Sequence, residues 1–367
     1  MEYTVFASLF VVVTGIQIAY LCSFLSFIFH RSTTCRSYSF PVSVIVCAKN
    51  EAENLLGLIP LLLDQQYKTF ELVLINDAST DHTLEVLRDF EKKDQRINIV
   101  DVKSNEAFWG SKKYALTLGI KAARYNHLLL TDADCQPGSS LWIAEMSSYF
   151  SDRTSIVLGY GKYQSKPYAL VDLFVRYETL ITAIQFFSYA KLGSPYMAVG
   201  RNIAYTKELF FNVKGFASHL HIRSGDDDLF IQDAANQHNT AICIDPKGFT
   251  ISQAPENFKQ WFRQKRRHIS TAPHYAFKHQ FLLGLFVFSK LLFWLMLPYL
   301  FSVFTEVILY LAAGVYMLMN YVIVGMAAKK LKETRVLLWL PLLEIGLILF
   351  QMTIFMANAI SKPTHWK

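Results

Sequence analysis

Charge is sparse in these 367 residues: Asp, Glu, Lys and Arg make up 18%, against about 25% in soluble domains. Hydrophobic residues reach 52% and aromatics 15%. A wholly soluble chain is excluded, and a membrane is implied. The five cysteines, Cys22, Cys35, Cys47, Cys135 and Cys243, lack metal-type spacing, and in a cytosolic domain they are expected as free thiols. There is no internal repeat and no low-complexity tract, and "GYGK" at 159–162 lacks the spacing of a phosphate loop. The net charge of +7 does not form an aromatic-interleaved basic surface, so nucleic acid is not expected as a partner. The basic residues crowd beside the apolar runs, where anionic membrane lipids account for them.

The apolar runs come first in the positive account. Tyr3 to Phe29 carries no charge and is long enough for a membrane helix, which needs about 20 residues. It is too long for a signal-peptide core, and no clear small-residue cleavage site follows, so residues 1–30 read as a retained anchor. From 281 to 360 the chain is apolar again, broken by Lys290, Pro298, Glu306, "KKLKETR" at 329–335 and Glu344. Three spans are expected, near 281–302, 307–328 and 336–358. Arg31 and Arg36 follow the first span, "FKQWFRQKRRH" precedes the second, and "AAKKLKETR" lies between the third and fourth. Four crossings put all three basic clusters on one face, which the positive-inside rule makes cytoplasmic. The domain at 40–278 is then cytoplasmic, the C-terminus lies outside, and the plasma (inner) membrane is the expected location.

Within 40–278, "PVSVIVCAKNEAENL" reads as a buried strand, a polar loop and a helix, and "FELVLINDASTDHTLEVLRDF" repeats the plan with Leu84, Leu87 and Phe90 on one helix side. "INIVDV" is a third strand, "SKKYALTLGIKAARYN" a helix and "HLLLTDAD" a fourth strand. Alternation of this kind predicts an α/β fold with a mostly parallel, Rossmann-like sheet covered on both faces. Ligands of such sheets sit beyond the carboxyl ends of the strands. Those ends are polar here: Asn50 and Glu51, Asn76 and Asp77, Ser104 and Asn105, Asp132 and Asp134.

Asp132 and Asp134, one residue apart at a strand end, repel one another unless a cation is shared. Open oxygen-rich sites suit Mg²⁺ or Mn²⁺, bound together with substrate phosphates. Such an ion neutralises a diphosphate leaving group. The alternative is an Asp-rich turn with Asp134 capping a helix. "SGDDDLF" at 224–230 offers a second acidic cluster, in which adjacent carboxyls raise one another's proton affinity and suit one of them to act as a base. Its alternative is a solvated acidic turn.

Taken with these segments, the chain resembles membrane-bound inverting glycosyltransferases of family 2, with the GT-A fold, over roughly 41–275 plus the flanking spans. "VSVIVCAKNEAENL" is similar to the family's first strand and loop, "INDASTDHT" to its nucleotide-binding turn and "TDADC" to its metal motif. "SGDDDLF" resembles the motif carrying the catalytic base, and "QKRRH" at 264–268 the Gln-x-x-Arg-Trp motif. The resemblance implies that Asp77 binds the nucleotide base and Asp132 the ribose or the metal's surroundings, while Asp134 binds the cation, Mg²⁺ or Mn²⁺. Asn50 and Glu51 join the nucleotide-sugar site. Lys112 approaches the nucleotide, with Lys113 as the competing choice. Asp227 is the base, in a register that Asp226 and Asp228 leave open by one. Gln264, Arg267 and His268 face the acceptor and the diphosphate, and Arg201 in "GRN" helps hold the diphosphate. His268 stands where the family has tryptophan, which counts against polymer extension.

Three further expectations concern the apolar regions. Residues 167–193, with Asp172, Arg176 and Glu178 as their few charges, form either a core helix or, as favoured here, an interfacial one. Lys259 and Lys265 attract lipid headgroups. Lys290 and Glu344 each lie about nine residues into a span, roughly 13 Å at the helical rise, and buried ionisable residues usually pair; Lys290 snorkelling to the surface is the alternative. The functional reading is transfer of a sugar, with inversion, from a nucleoside diphosphate donor, a UDP-sugar by preference, to a lipid or glycan acceptor at the cytoplasmic face. A processive polysaccharide synthase and a non-catalytic membrane scaffold are the competing readings.

Overall fold

The computed structural model describes residues 2–30, 40–103, 112–164, 170–222 and 224–361. Arg31, Cys35, Arg36, Ser104 and Asn105 fall outside them. The chain divides into two compact units, one of residues 31–166 and 189–254, the other of 1–30, 167–188 and 255–363. The α/β unit is therefore shorter than 40–278: the helix around 170–188 and the basic helix after 255 group with the apolar helices.

Numbered in chain order, the α/β unit contains β1 (Val42–Ala48), α2 (Ala52–Leu63), β2 (Phe70–Asp77), α3 (Thr83–Glu91), β3 (Ile97–Val102), α4 (Lys112–Ala122), β4 (His127–Asp132), β5 (Cys135–Pro137), α5 (Trp142–Ser147), β6 (Ile156–Leu158), β7 (Gly161–Tyr163), β8 (Ile203–Thr206), α7 (Lys207–Asn212), α8 (Asp228–Ala234), β9 (Thr240–Ile242) and β10 (Thr250–Ser252). Seven strands form one sheet in the order β3-β2-β1-β4-β8-β6-β9, and β5-β10-β7 form a second. The four expected strands are present and mutually parallel. β8 runs antiparallel to β4 and β6.

Sequence chemistry explains the pairing. β1, rich in valine, is almost wholly buried, as a strand covered on both faces must be. On α2, Leu55, Leu58, Ile59 and Leu62 are buried, the i, i+3, i+4, i+7 stripe of a helix lying on a sheet. They join Val44, Val46, Leu72, Leu74 and Leu129 in one core. Each such side chain contributes about 1.5–3 kcal/mol by leaving water. The register then sets the chemistry: Ala48 pairs with Asn76, and Cys47 pairs with Asp132. Three strands thus end level, and the polar residues at or just beyond their ends share one sheet edge.

The other unit contains α1 (Glu2–Ile28), most of α6 (Leu170–Lys191), α9 (Phe258–Ile269), α10 (Phe277–Val303), α11 (Val307–Lys330), a 3-10 segment (Thr334–Trp339) and α12 (Leu340–Ile360). Four of its helical stretches are long and apolar enough to cross a membrane. α1 packs against α10 through Gln17, whose amide donates to Phe286 O at 3.0 Å and Ser289 Oγ at 2.7 Å. Lys290 and Glu344 are buried and in contact, so the expected ion pair forms, between α10 and α12, and Lys290 does not snorkel. Tyr316 and Asn320 donate to the same carboxylate at 3.2 and 3.3 Å.

α6 is largely buried, and two of its charges are ion-paired. Arg176 meets Glu333 at 2.5 Å, and Glu178 meets Lys265 at 2.6 Å. Lys265 therefore corrects an expectation: its ammonium answers a half-buried carboxylate rather than lipid headgroups, since α9 turns that side chain toward α6.

Candidate active site

The first loop and the second interlock. Asn50, in the left-handed region at φ 56°, accepts from Thr80 N at 2.8 Å and donates its own N–H to Ser79 Oγ at 3.0 Å. Glu51 N donates to Thr83 Oγ1 at 2.9 Å, and Asp81 accepts from Ala52 N and Thr83 N. Ala78 takes φ 48°, a strained value that costs on the order of 1–3 kcal/mol and clusters at functional sites. Asp77 precedes it at the end of β2, buried, with its carboxyl pushed above the ordinary range by burial and pulled back by Lys49 and Lys112. Asn50 thus braces the loop, and Asp77 is the group it frames.

Lys112 begins α4 and reaches two acids, Asp132 Oδ1 at 2.8 Å and Asp226 Oδ2 at 3.0 Å. Burial opposes its charge, but Asp132 and Asp226 outweigh it and hold the ammonium well above its usual value. Lys113 points elsewhere: it is buried and donates to His219 O at 2.8 Å and Ile222 O at 3.0 Å. Burial lowers its pKa to about 8. Neighbouring positions on a helix point about 100° apart, so one lysine serves the acids and the other ties down a loop. Of the two, Lys112 is the one that lines the pocket with Asp132 and Asp226.

The acidic triplet separates into distinct environments. Gly225 adopts φ 85°, a conformation side chains resist, and turns the chain so that Asp227 becomes the residue before α8. Asp227 Oδ1 accepts from Asp228 N at 2.9 Å, and Oδ2 accepts from Gly200 N at 2.7 Å. Burial, then the charges of Asp228 and Asp226, push its carboxyl well above the ordinary range. Burial would raise Asp226 too, yet the charge and hydrogen bond of Lys112 leave it below that range. Asp226 is therefore an ion-pair partner, whereas Asp227 has the greater affinity for a proton. Lys112, Asp132, Gly200, Tyr205, Asp226 and Asp227 line one pocket.

Asp134 stands in the turn after β4 and caps no helix, because β5 follows at once. Carboxylate oxygens of Asp132 and Asp134 and Cys135 Sγ all lie within 4.8 Å of one another. The Asp134 carboxyl is raised by surrounding protein and by the charges of Asp132 and Glu51. Burial keeps the Cys135 thiol protonated, which leaves two hard oxygen donors that fit a divalent cation. Arg201, whose charge opposes the rise at Asp134, donates to Gly161 O at 2.7 Å and Ser252 Oγ at 3.2 Å, and lies 4.2 Å over the Tyr163 ring.

Gly161 and Gly200 were missed in the sequence. A Cβ on Gly161 would stand 2.1 Å from Arg201 Nε, so the bare backbone of "GYGK" is the cradle of Arg201 rather than a phosphate loop. Gly200, next to Arg201 in "GRN", supplies the N–H held by Asp227. The glycine doublet was the available signal, but its partner lies forty residues away in sequence. Gln264, Arg267 and His268 lie on α9, in the unit of apolar helices. Their i, i+3, i+4 spacing places them on one helix face.

Residues 43–207 match the model of Glycosyl transferase family 2. Over 122 residues the chain is 34% identical to an uncharacterised glycosyltransferase of Haemophilus influenzae, covering 33% of this chain and 36% of that protein. Over 93 residues it is 34% identical to a poly-β-1,6-N-acetyl-D-glucosamine synthase of Staphylococcus epidermidis, covering 25% and 21%. The chain thus spans about a third or less of the length of these curated relatives. A mannosyltransferase from Pyrobaculum calidifontis, solved with GDP-Man and Mn²⁺, superposes over 94% of this chain and 99% of its own at a TM-score of 0.58 and 15% identity. That likeness speaks for the fold. Sheet order, acidic edge and family match agree: residues 43–207 are a family 2 glycosyltransferase domain of the GT-A type, in a chain that also carries four apolar helices.

Proposed function

We propose that the protein transfers a sugar, with inversion, from a nucleoside diphosphate donor to a lipid or lipid-linked acceptor at the cytoplasmic face of the plasma (inner) membrane. A UDP-sugar is the donor. The observation that carries this reading is the convergence of Lys112, Asp132, Asp226 and Asp227 on one pocket at the end of the parallel sheet.

In this reading Asp77, framed by the Asn50 and Glu51 loop, accepts from the nucleotide base, while Lys112 and Asp132 flank the ribose and phosphates. Asp134, with Asp132, holds Mg²⁺ or Mn²⁺, which when bound neutralises the diphosphate. Arg201, fixed against Tyr163 and Gly161, adds positive charge beside Asp134. Asp227 takes the proton of the acceptor hydroxyl as its oxygen attacks the anomeric carbon from the side opposite the diphosphate, and attack from that side inverts the centre. Two backbone N–H bonds to Asp227 fix its orientation, which proton transfer requires. By motif likeness Gln264, Arg267 and His268 serve the acceptor and the diphosphate.

The test is Asp227→Asn. Transfer of labelled sugar into the organic phase falls by about 10²–10⁴ while donor binding persists; unchanged turnover removes Asp227 as the base. A polysaccharide product has the name of the Staphylococcus relative in its favour, and product length on a sizing gel separates the two readings.

A further inference from the structure

Simple alternation along four apolar helices puts the end of α12 on the face opposite the end of α11. The contacts within this unit arrange the ends differently. Lys330, at the end of α11, donates to Ile28 O and His30 O, both at 2.8 Å, so α1 and α11 finish together. α10 starts at that same level: Tyr20 Oη donates to Leu282 O at 2.6 Å. The opposite ends also meet, with the Phe6 ring 4.7 Å from Tyr299 and 5.0 Å from Phe304. One face therefore holds residues 28, 277 and 330, and the other holds residues 6, 303 and 307.

α12 belongs at both its ends to the first face. It is preceded by Glu333, just beyond Lys330 and paired with Arg176. Its last turn is held by Arg266, on α9, the helix directly before α10. Arg266 donates to Asn358 Oδ1 at 2.9 Å, Ala357 O at 3.2 Å and Ser361 Oγ at 2.9 Å, and Asn358 Nδ2 returns a bond to Arg266 O at 3.1 Å. Cationic donors suit the free carbonyls of a helix C-terminus. Farther back, Trp261 stacks on Phe350 at 3.8 Å, so α9 follows α12 along this half.

Between its ends α12 dips inward. Glu344 meets Lys290, Tyr316 and Asn320, residues near the middle of α10 and α11. From Glu344 to Ala357 the helical rise is about 20 Å, which on a crossing helix would carry the last turn to the far face of a core about 30 Å thick. That turn is instead bound to the helix that leads into α10.

We propose that α12 is a re-entrant helix embedded in one leaflet, and that the chain's C-terminus emerges on the side to which His30 leads. Its partner is the acyl region of that leaflet, met by the exposed Leu342, Leu349, Phe355, Met356 and Ile360. The 3-10 segment leading into it turns Val336 into protein and leaves Leu338 and Trp339 exposed, apolar side chains that suit the same leaflet. The arrangement fixes α9 against a membrane-bound support.

The test uses the full chain with a protease-cleavable tag either after Lys367 or at Thr305, between α10 and α11, in sealed vesicles whose Thr305 side faces outward. The Thr305 tag is cut before permeabilisation, and the C-terminal tag is cut at least tenfold more after permeabilisation than before. Equal cutting of both tags in sealed vesicles overturns the proposal. A nitroxide on Ile360→Cys checks this without an added segment. Reduction by an impermeant reductant from the His30 side supports re-entry, and reduction from the Thr305 side refutes it.

Discussion

Replacing Lys112 with methionine tests how the pocket holds its own charges together. Lys112 faces Asp132 and Asp226 at 2.8 and 3.0 Å, and the Lys112 and Asp226 side chains are 14% and 13% exposed. Removing one partner of such a buried pair strands the other charge and costs about 3–5 kcal/mol. For a domain of this size each kcal/mol moves the melting midpoint by about 2–4 °C, so a fall of roughly 6–20 °C is expected at pH 7. The pH dependence carries the sharper information. Lys112 holds the Asp226 carboxyl below its ordinary value, so this group's stabilisation is complete above the unfolded pKa, about 4. It is lost as the pH falls through the lower folded value. Lys112→Met lacks that contribution, so the gap between the two proteins is widest at neutral pH and narrows toward pH 3. Thermal unfolding in detergent across that range measures it. A gap that is absent at pH 7, or constant down to pH 3, refutes the assignment of Lys112 as counter-ion to Asp226.

Two other substitutions probe separate parts. Gly161→Ala places a methyl group 2.1 Å from Arg201 Nε and displaces the guanidinium; stability falls by about 1–3 kcal/mol, and calorimetry should find weaker metal-dependent donor binding. Lys290→Met strands the Glu344 carboxylate and costs about 3–5 kcal/mol. Adding Glu344→Gln restores more than half of this in thermal unfolding, because the amide keeps an acceptor for Tyr316 and Asn320 without a charge.

Much of the α/β unit was legible because its signals are local. A run of β-branched residues ending in Lys-Asn-Glu, or three leucines ending at Asp132, states both the strand and the level at which it stops. The acids of β2, β4 and the 226–228 triplet were found for the same reason. What escaped the sequence depends on distant partners. Nothing near Gly161 announces Arg201, and nothing near Lys112 and Lys113 says which of them faces Asp226. The split between Asp226 and Asp227 arises from a lysine on α4 that reaches Asp226, and from burial and neighbouring acids at Asp227. The three-residue strands β5, β6, β7, β9 and β10 are too short for periodicity to register. Lys290 and Glu344 could be paired in advance because a charge within an apolar run has few alternatives. Lys265 and Arg266, on a polar helix, had many, and their partners Glu178 and Asn358 came only with the fold.

Binding of activated sugar by the acids at the sheet edge is best examined by titration calorimetry of the intact protein with a panel of nucleotide sugars, with and without Mn²⁺ or Mg²⁺. Saturable heat is expected for a UDP-sugar when the metal is present, with loss of that heat in Asp134→Ala. Absence of heat for every nucleotide sugar with either metal, from folded protein, would contradict the account, as would binding that Asp134→Ala leaves unchanged.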